Sequence, residues 1–186
     1  DHTKNSVVKS NELARAYYKV TLNEKRLMEL LISLLNPKRT DNEYRNIEIT
    51  RKLFIDTFKI KKQNGFRDLV NAAYGLQEVF IKLKDDPDDR RGSRFNIINN
   101  VSHDTDRSLI ICSINSWAIP HLVNMRGKFT RYTLRNGADF KNPLVWRIYE
   151  LIVSWSNTKE PPLRGSKTIS VDDLRERLGI PESYPY

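Results

Sequence analysis

Hydrophobic residues recur at helical spacing in the first forty residues of the chain. Ser10 can cap a short helix that carries Leu13 and Ala14, because its hydroxyl can accept a first-turn amide. Thr21 and Glu24 have the spacing of a capping box, which predicts the start of a longer helix that ends by Pro37. The wide apolar stripe of this second helix places it in the centre of a core; its members are Leu27, Met28, Leu30, Leu31, Ile32, Leu34 and Leu35.

The next segment alternates between a strand pattern and two helical patterns. Tyr44–Ile49 is predicted to be a strand, and Thr50 is positioned to cap a short helix. A basic turn, Lys61–Gly65, leads to a longer helix. A short helix, a turn and a longer helix are typical of a helix-turn-helix. The apolar positions of the two helices are Leu53, Phe54, Phe58 and then Phe66, Leu69, Val70, Ala73 and Leu76.

Strand patterns follow the helix-turn-helix. Val79–Leu83 is predicted to be a strand, and Phe95–Val101 and Ser108–Ile114 to form a hairpin around Asp104-Thr105-Asp106. A further helix capped by Asn115 or Ser116 is expected to carry Trp117, Ile119, Leu122 and Val123. Helices followed by a β-hairpin wing predict an α+β fold of the winged-helix class.

The same order of elements begins again near the end of the chain. A basic connector, residues 126–140, precedes a helix that Asn142 caps with Pro143 at its first position. A short strand, Lys167–Ile169, and a helix Val171–Leu178 that Ser170 caps follow. The sequence therefore predicts two domains: a complete first winged helix at 1–135, and at 136–186 a linker with the first part of a second, truncated winged helix.

Composition and charge point to a polyanionic partner. The 186 residues are 39% hydrophobic and carry a formal net charge of +9, with a pI of about 9.7. Such a surplus of cations attracts nucleic acid, so double-stranded DNA is the expected partner. No apolar run approaches the roughly 18 residues of a membrane span, so no membrane partner is expected. Cys112 is the only cysteine, which excludes an internal disulfide and fits the reducing cytoplasm.

Several short motifs resemble one family of proteins. Val7-Val8-Lys9-Ser10-Asn11-Glu12-Leu13, with Tyr18 and Leu22–Leu27 after it, is similar to the opening of plasmid replication initiators of the Rep_3 family. The similarity continues at Arg126–Tyr132 and at Asn142-Pro143. It also includes Arg147-Ile148-Tyr149-Glu150-Leu151, which resembles the family's R-L-Y-E signature. The motifs cover nearly the whole chain in the family's order.

The resemblance implies a function and a set of partners. Such initiators bind the repeats of a plasmid origin, called iterons, as monomers, and as homodimers they repress their own operator. They also contact host replication proteins, such as the host initiator and helicase. The resemblance implies no cofactor, and it predicts that the recognition helix of the second winged helix lies beyond this sequence.

Two basic segments are candidate DNA contacts. The first lies at the turn and entry of the recognition helix, where amides and cations meet phosphate in helix-turn-helix proteins. The second is a basic, extended run in which Phe129 and Arg131 face one way and Lys128, Thr130 and Tyr132 the other. A solvated loop and an ordinary linker are the alternative interpretations. The candidates are Lys61, Lys62, Gln63, Asn64 and Arg67, and then Arg126, Lys128, Arg131 and Arg135.

The strand Ser108–Ile114 is a candidate dimer interface. Both of its faces are apolar, whereas a wing hairpin ordinarily buries one face and shows the other to water. A second copy of the chain would cover the additional face, and the helix around Trp117 is the alternative cover. The candidate interface residues are Leu109, Ile110, Ile111, Cys112 and Ile114.

An enzymatic function finds no support among the motifs. A rolling-circle nickase needs closely spaced histidines for a metal, but the three histidines are His2, His103 and His121. The segment around Gly127-Lys128 departs from a phosphate-binding loop because Phe129 follows in place of Ser or Thr. A winged-helix transcriptional repressor without an initiator role is the alternative non-enzymatic function.

Overall fold

A computed structural model describes residues 2–36, 44–84, 92–125, 127–156, 168–181 and 183. Seven helices are assigned among these residues: α1 Asn11–Ala14, α2 Leu22–Leu34, α3 Arg51–Phe58, α4 Gly65–Glu78, α5 Arg135–Ala138, α6 Pro143–Ser156 and α7 Val171–Leu178. The strands of the same residues are β1 Ser6–Ser10, β2 Ile47–Thr50, β3 Phe80–Lys84, β4 Gly92–Asn96, β5 Ile98–Asp104, β6 Leu109–Ile114 and β7 Phe129–Thr133. Short 3-10 turns lie at His2–Lys4, Lys62–Asn64 and Ile119–His121.

Helices α2, α3 and α4 pack with an antiparallel sheet in the order β2-β6-β5, and this arrangement is a winged helix. The predicted helix starts are confirmed. The backbone amide of Leu13 donates to Ser10 at 3.1 Å, that of Leu53 donates to Thr50 at 3.1 Å, and Thr21 and Glu24 form both hydrogen bonds of a capping box. The predicted β-turn between β5 and β6 is also present.

The predicted first strand of the wing is divided in the structure. β4 pairs with β3, and β5 pairs with β6, so the segment Phe95–Val101 belongs to two hairpins. The chain changes partner at Ile97 and Ile98, and both side chains are buried. The continuous apolar run conceals this change, because a hydrophobic pattern reports burial and does not report which strand is the neighbour.

The predicted basic connector is a strand and a short helix. β7 pairs with β1 in antiparallel register, with Val7 opposite Tyr132 and Lys9 opposite Thr130. The prediction missed β1, since the side chains on its buried face are Val7 and Lys9 and a lysine is not expected inside a core. The sequence predicted an extended segment at 128–132, and the part of it from Phe129 to Tyr132 is confirmed as strand β7.

The predicted helix around Trp117 is wrong. Only Ile119–His121 forms a 3-10 turn, and the Trp117 amide donates to Asn115 Oδ1 at 3.0 Å. Pro120 lies inside the predicted helix, where it supplies no amide and its ring crowds the preceding turn. The predicted strand at Lys167–Ile169 is also absent from its described residues, Thr168 and Ile169, whereas the helix capped by Ser170 is confirmed as α7.

A group of five charged side chains lies inside the core, and we call it the buried ion cluster: Lys9, Lys25, Glu29, Arg147 and Glu150. These side chains come from β1, α2 and α6, and each is at most 1% exposed. The Lys25 ammonium lies 2.7 Å from the Glu29 carboxylate and 2.6 Å from that of Glu150. The Lys9 ammonium contacts the same two carboxylates at 2.7 and 2.5 Å.

The side chain of Tyr132 completes the buried ion cluster. The Tyr132 hydroxyl lies 2.7 Å from a Glu29 carboxylate oxygen and 2.8 Å from one of Glu150. Burial raises the pKa of Tyr132 well above its ordinary value, and the two carboxylates raise it further. Burial also opposes the charge of Glu150, but Lys25, Lys9 and Arg147 outweigh it and hold the pKa of Glu150 well below its ordinary value. Glu150 therefore stays ionised beside a neutral Tyr132 hydroxyl.

Helix α6 is part of the same core as the winged helix. Trp146 is fully buried, and its ring contacts Phe58 of α3 and Phe140 at centroid distances of 6.3 and 6.1 Å. A Cβ atom added to Gly137 of α5 would collide with this ring, so a glycine is needed there. One hydrophobic core therefore runs across residue 135, where the sequence predicted a domain boundary.

Candidate nucleic-acid interface

The first group of predicted DNA contacts lies together at the start of α4. Lys61, Gln63, Asn64 and Arg67 are all exposed on the 3-10 turn and the first turn of the helix. The Asn64 side chain makes no capping hydrogen bond, so first-turn amides of α4 keep the partial positive charge of a helix N-terminus. Lys62 is in the turn, and its side chain lies outside the described structure.

The second group of predicted contacts lies on β7 and at the start of α5. Lys128, Arg131 and Arg135 are exposed, and the Nε of Arg131 donates to the Ser6 hydroxyl at 3.2 Å. Arg126 lies outside the described residues. Tyr132 is buried as an anchor, whereas Phe129 is 44% exposed. The strand therefore carries one exposed aromatic ring and an exposed guanidinium on its outer face.

A salt bridge joins the end of α3 to the end of α5. The Lys59 ammonium, at the end of α3, lies 3.0 Å from Asp139 Oδ1, immediately after α5. The hydrogen bond and the charge of Lys59 lower the pKa of the Asp139 carboxyl, and Lys141 and Arg135 lower it further. The salt bridge therefore places the end of α3 beside α5, so the helix-turn-helix turn adjoins the β7–α5 region.

The candidate dimer strand β6 is the central strand of its sheet. Its core face consists of Ile110, Cys112 and Ile114, which are fully or almost fully buried. On the other face Leu109 is buried as well, and Ile111 is partly exposed between Glu48 of β2 and Ser102 of β5. Trp117 is 70% exposed, and the helix expected to cover this face is absent. Ile111 is therefore the member of the set whose side chain reaches solvent.

Sequence reasoning missed two groups of residues that organise this surface. One is the buried ion cluster. A signal for it was present in the sequence, since charged residues interrupt the apolar faces of two helices: Lys25 and Glu29 in α2, and Arg147 and Glu150 in α6. The other surrounds Tyr17, whose ring lies 4.4 Å from the Lys84 ammonium and 4.4 Å from the Arg177 guanidinium. No sequence signal links these three, because they lie far apart along the chain.

The described residues contain neither a metal site nor a membrane-spanning helix. Within those residues, no three His, Cys, Asp or Glu side chains are grouped as metal ligands would be. No described helix combines the length and apolar character that crossing a membrane requires.

The class of this protein follows from its fold. The helices α2, α3 and α4, a β-hairpin wing and an exposed basic surface at the start of α4 define a winged-helix domain. The chain belongs to the initiator replication protein family: the family model described as "Initiator Replication protein, WH1" matches residues 6–153.

Two known proteins extend the comparison. The chain is 24% identical over 180 residues to a "Replication initiation protein" of Escherichia coli, covering 96% of this chain and 55% of the relative. It therefore spans about half the length of that curated relative. Its fold is similar to the structure titled "Crystal structure of Pi initiator protein in complex with iteron DNA". That match has a TM-score of 0.72 and 21% identity, and it covers 94% of this chain and 73% of the other.

Proposed function

We propose that this chain is the DNA-binding part of a plasmid replication initiator that binds the iterons of its origin as a monomer. The exposed basic surface at the start of α4, joined to the β7–α5 region by Lys59 and Asp139, carries this proposal. Membership of the initiator replication protein family supports the initiator role. The fold neighbour titled as a complex with iteron DNA supports duplex DNA as the ligand.

The first domain contributes contacts to the sugar-phosphate backbone. Lys61, Arg67, Arg131 and Arg135 present flexible or forked donors that suit phosphate oxygens. Such contacts fix the position of a protein on DNA and raise affinity without reading the base sequence. Gln63 and Asn64, which are exposed beside them, have the donor and acceptor groups that can read base edges.

Fluorescence anisotropy with a labelled duplex tests the backbone contacts. Arg67→Gln is expected to reduce affinity and to lower the slope of log K against log salt by about 0.9, the value for one lost phosphate contact. Lys52→Gln removes the same charge from an 85% exposed side chain on α3 and serves as the control. Equal binding by the two variants would remove the α4 entry from the DNA interface.

The proposed second winged helix includes α7 and is expected to pack on the outer face of α6, whose inner face belongs to the core of the first domain. The outer face of α6 carries Val145, Ile148 and Ile152 at helical spacing, and these side chains are 47, 40 and 54% exposed. An apolar face of this kind is typical of a core helix whose partners come from elsewhere. The repeated order of helix, short segment and capped helix supports a second unit of the same class, and the greater length of the relative supports it as well.

The dimer acts as a repressor of the initiator's own operator, and the β6 face is its interface. Ile111 is the accessible apolar group on that face, and β5 beside it is an edge strand of the described sheet, which can pair with another chain. Contacts with the host initiator and helicase complete the proposed function, on the basis of the family resemblance alone.

A transcriptional repressor without an initiator role is the second candidate, since the same fold and cations serve both functions. Footprinting on plasmid DNA separates them. Protection of several direct repeats beside an AT-rich region identifies an initiator, and protection of one inverted repeat alone identifies a repressor.

A further inference from the structure

Helix α4 presents one narrow face to solvent along its whole length. Its exposed residues recur every three or four positions: Arg67, Asn71, Tyr74 and Glu78. At 3.6 residues per turn these four fall within a sector of about 60°. The opposite side of the helix is buried in the core through Leu69, Ala72, Ala73 and Leu76. Because α4 is the second helix of the helix-turn-helix, its exposed face is the one that a recognition helix places in the major groove.

The Asn71 side chain, in the second turn of α4, has no structural partner in the described part of the chain. Its amide makes no hydrogen bond there, whereas the amide of Gln77 on the same helix donates to the Asn99 carbonyl at 3.1 Å. An asparagine inside a helix is less favourable than an alanine, because its side chain competes for backbone hydrogen bonds. Asn71 therefore destabilises its helix slightly and leaves one donor and one acceptor group open to a ligand.

An adenine base has the complementary pair of groups in the major groove. Its N7 atom accepts and its N6 amino group donates, and an asparagine amide can form both hydrogen bonds at once. Resting on the proposed DNA-binding function, we propose that Asn71 is a base-reading residue of the first domain and selects an adenine in the major groove. The phosphate contacts proposed for this domain fix its position on the duplex, and Asn71 adds a preference for one base.

The spacing along α4 suits a phosphate contact followed by a base contact. Arg67 and Asn71 are four residues apart, which is about 6 Å along the helix axis or about two base-pair steps. Arg67 on the first turn can therefore bind the backbone while Asn71 reaches a base edge on the next turn. Of the acidic residues of α4, Asp68 is half-buried and Glu78 is the last residue, so the exposed charge on the turn before Asn71 is the Arg67 guanidinium.

The wing is fixed against this helix and leaves the Asn71 face open. The His103 ring of β5 contacts the Tyr74 and Phe66 rings of α4 at centroid distances of 5.9 and 6.5 Å. Its Nδ1 atom lies 3.0 Å from the Tyr74 hydroxyl oxygen. Tyr74 nevertheless stays 41% exposed, and Asn71 one turn before it is exposed as well. The position of Asn71 relative to the wing is thus set before DNA binds, which reduces the entropy lost on binding.

Selection of duplexes from a randomised pool, by wild type and by Asn71→Ala, tests the proposal. Fluorescence anisotropy then measures binding to the selected duplex and to copies in which one A·T pair at a time is replaced. Wild type is expected to prefer adenine at one position by about tenfold, and Asn71→Ala is expected to lose that preference. The salt slope should stay unchanged, because the substitution removes no charge.

Arg67→Gln, on the same face of α4, is the matched comparison. It is expected to weaken binding to all duplexes alike and to lower the salt slope, as the loss of a phosphate contact does. Asn71→Ala should also melt at the same temperature as wild type or higher, because alanine is the better helix former. A lost base preference in a protein of unchanged thermal stability therefore reports on recognition and not on folding.

The outcomes separate this role of Asn71 from the function on which it rests. Wild-type protein that shows no salt-dependent duplex binding would overturn the proposed function itself. Salt-dependent binding by wild type without any preferred sequence would leave that function standing and overturn the role of Asn71. The role is also overturned if Asn71→Ala selects the same adenine as strongly as wild type, or if it weakens binding to all duplexes alike.

Discussion

The Glu150 carboxylate of α6 lies 2.6 Å from the Lys25 ammonium of α2, and neither side chain is exposed to solvent. Glu150 and Arg147 are the charged ends of the segment that resembles the R-L-Y-E signature. The structure gives this segment an internal role: it fastens α6 to the first domain through charge. Its donors face Tyr18 and the backbone of Ala14 and Ala16, and do not face a DNA surface.

Glu150→Gln is expected to destabilise the fold by about 3–5 kcal/mol, because it leaves Lys9, Lys25 and Arg147 buried with one carboxylate. Denaturation by urea measures the change. Glu12→Gln, at a side chain that is 70% exposed, is the control and is expected to change the free energy of unfolding by less than about 0.5 kcal/mol. Equal stabilities of the two variants would contradict a structural role for the cluster.

The free energy of unfolding is expected to fall in acid because Glu150 becomes protonated. Since the folded protein holds the pKa of Glu150 well below that of the unfolded chain, Glu150 contributes its stabilisation above the unfolded pKa of about 4.3. That contribution is lost progressively as pH falls from this value towards the folded pKa. Urea titrations of wild type and Glu150→Gln between about pH 7 and pH 3 should therefore converge at low pH. If the free energies of unfolding of the two proteins differ by the same amount at every pH, Glu150 is not the titrating group.

Gly137→Ala is expected to destabilise the protein by about 1–3 kcal/mol, because the added methyl group collides with the buried Trp146 ring. Thermal unfolding measures the loss. Trp146→Phe makes room for the methyl group, so the double variant should be less destabilised than the sum of the two single variants. Strict additivity would mean that the backbone moves instead of the ring.

Ile111→Asp is expected to convert dimers into monomers while it leaves the fold intact, since Ile111 is partly exposed on the sheet face. Sedimentation velocity at micromolar protein measures the assembly state. Glu48→Gln, a neighbour on β2, removes a charge from the same face and controls for surface chemistry. An unchanged dimer in the Ile111→Asp protein would exclude this strand from the interface.

The Cys112 thiol is expected to resist alkylation in the folded protein. Burial raises its pKa to about 12, so very little reactive thiolate is present near neutral pH. Labelling with iodoacetamide should be slow in buffer and complete in denaturant. Rapid labelling of the native protein would mean that β6 opens to solvent.

The sequence alone predicted the local structure well where one residue or one period decides it. Ser10, Thr21, Thr50 and Ser170 begin helices because a side-chain oxygen accepts the amide three positions further along the chain. It also predicted the winged helix and the exposure of the cations at the start of α4. The strand partners at Ile97 were missed because pairing depends on neighbours outside the pattern. The helix at Trp117 was predicted from its apolar spacing, although Pro120 and the Asn115 side chain favour a short turn there.

Periodicity and capping are short-range physics, so the order of elements, the excess of positive charge and the helix-turn-helix could be taken from the printed residues. The buried partners of Lys9 and the stacking of Lys84 and Arg177 on Tyr17 come together only when the chain has folded. The sequence does not show whether a charged side chain is surrounded by water or by an opposite charge. Long-range contact decides between these surroundings, and here it placed two glutamates and three cations inside the core.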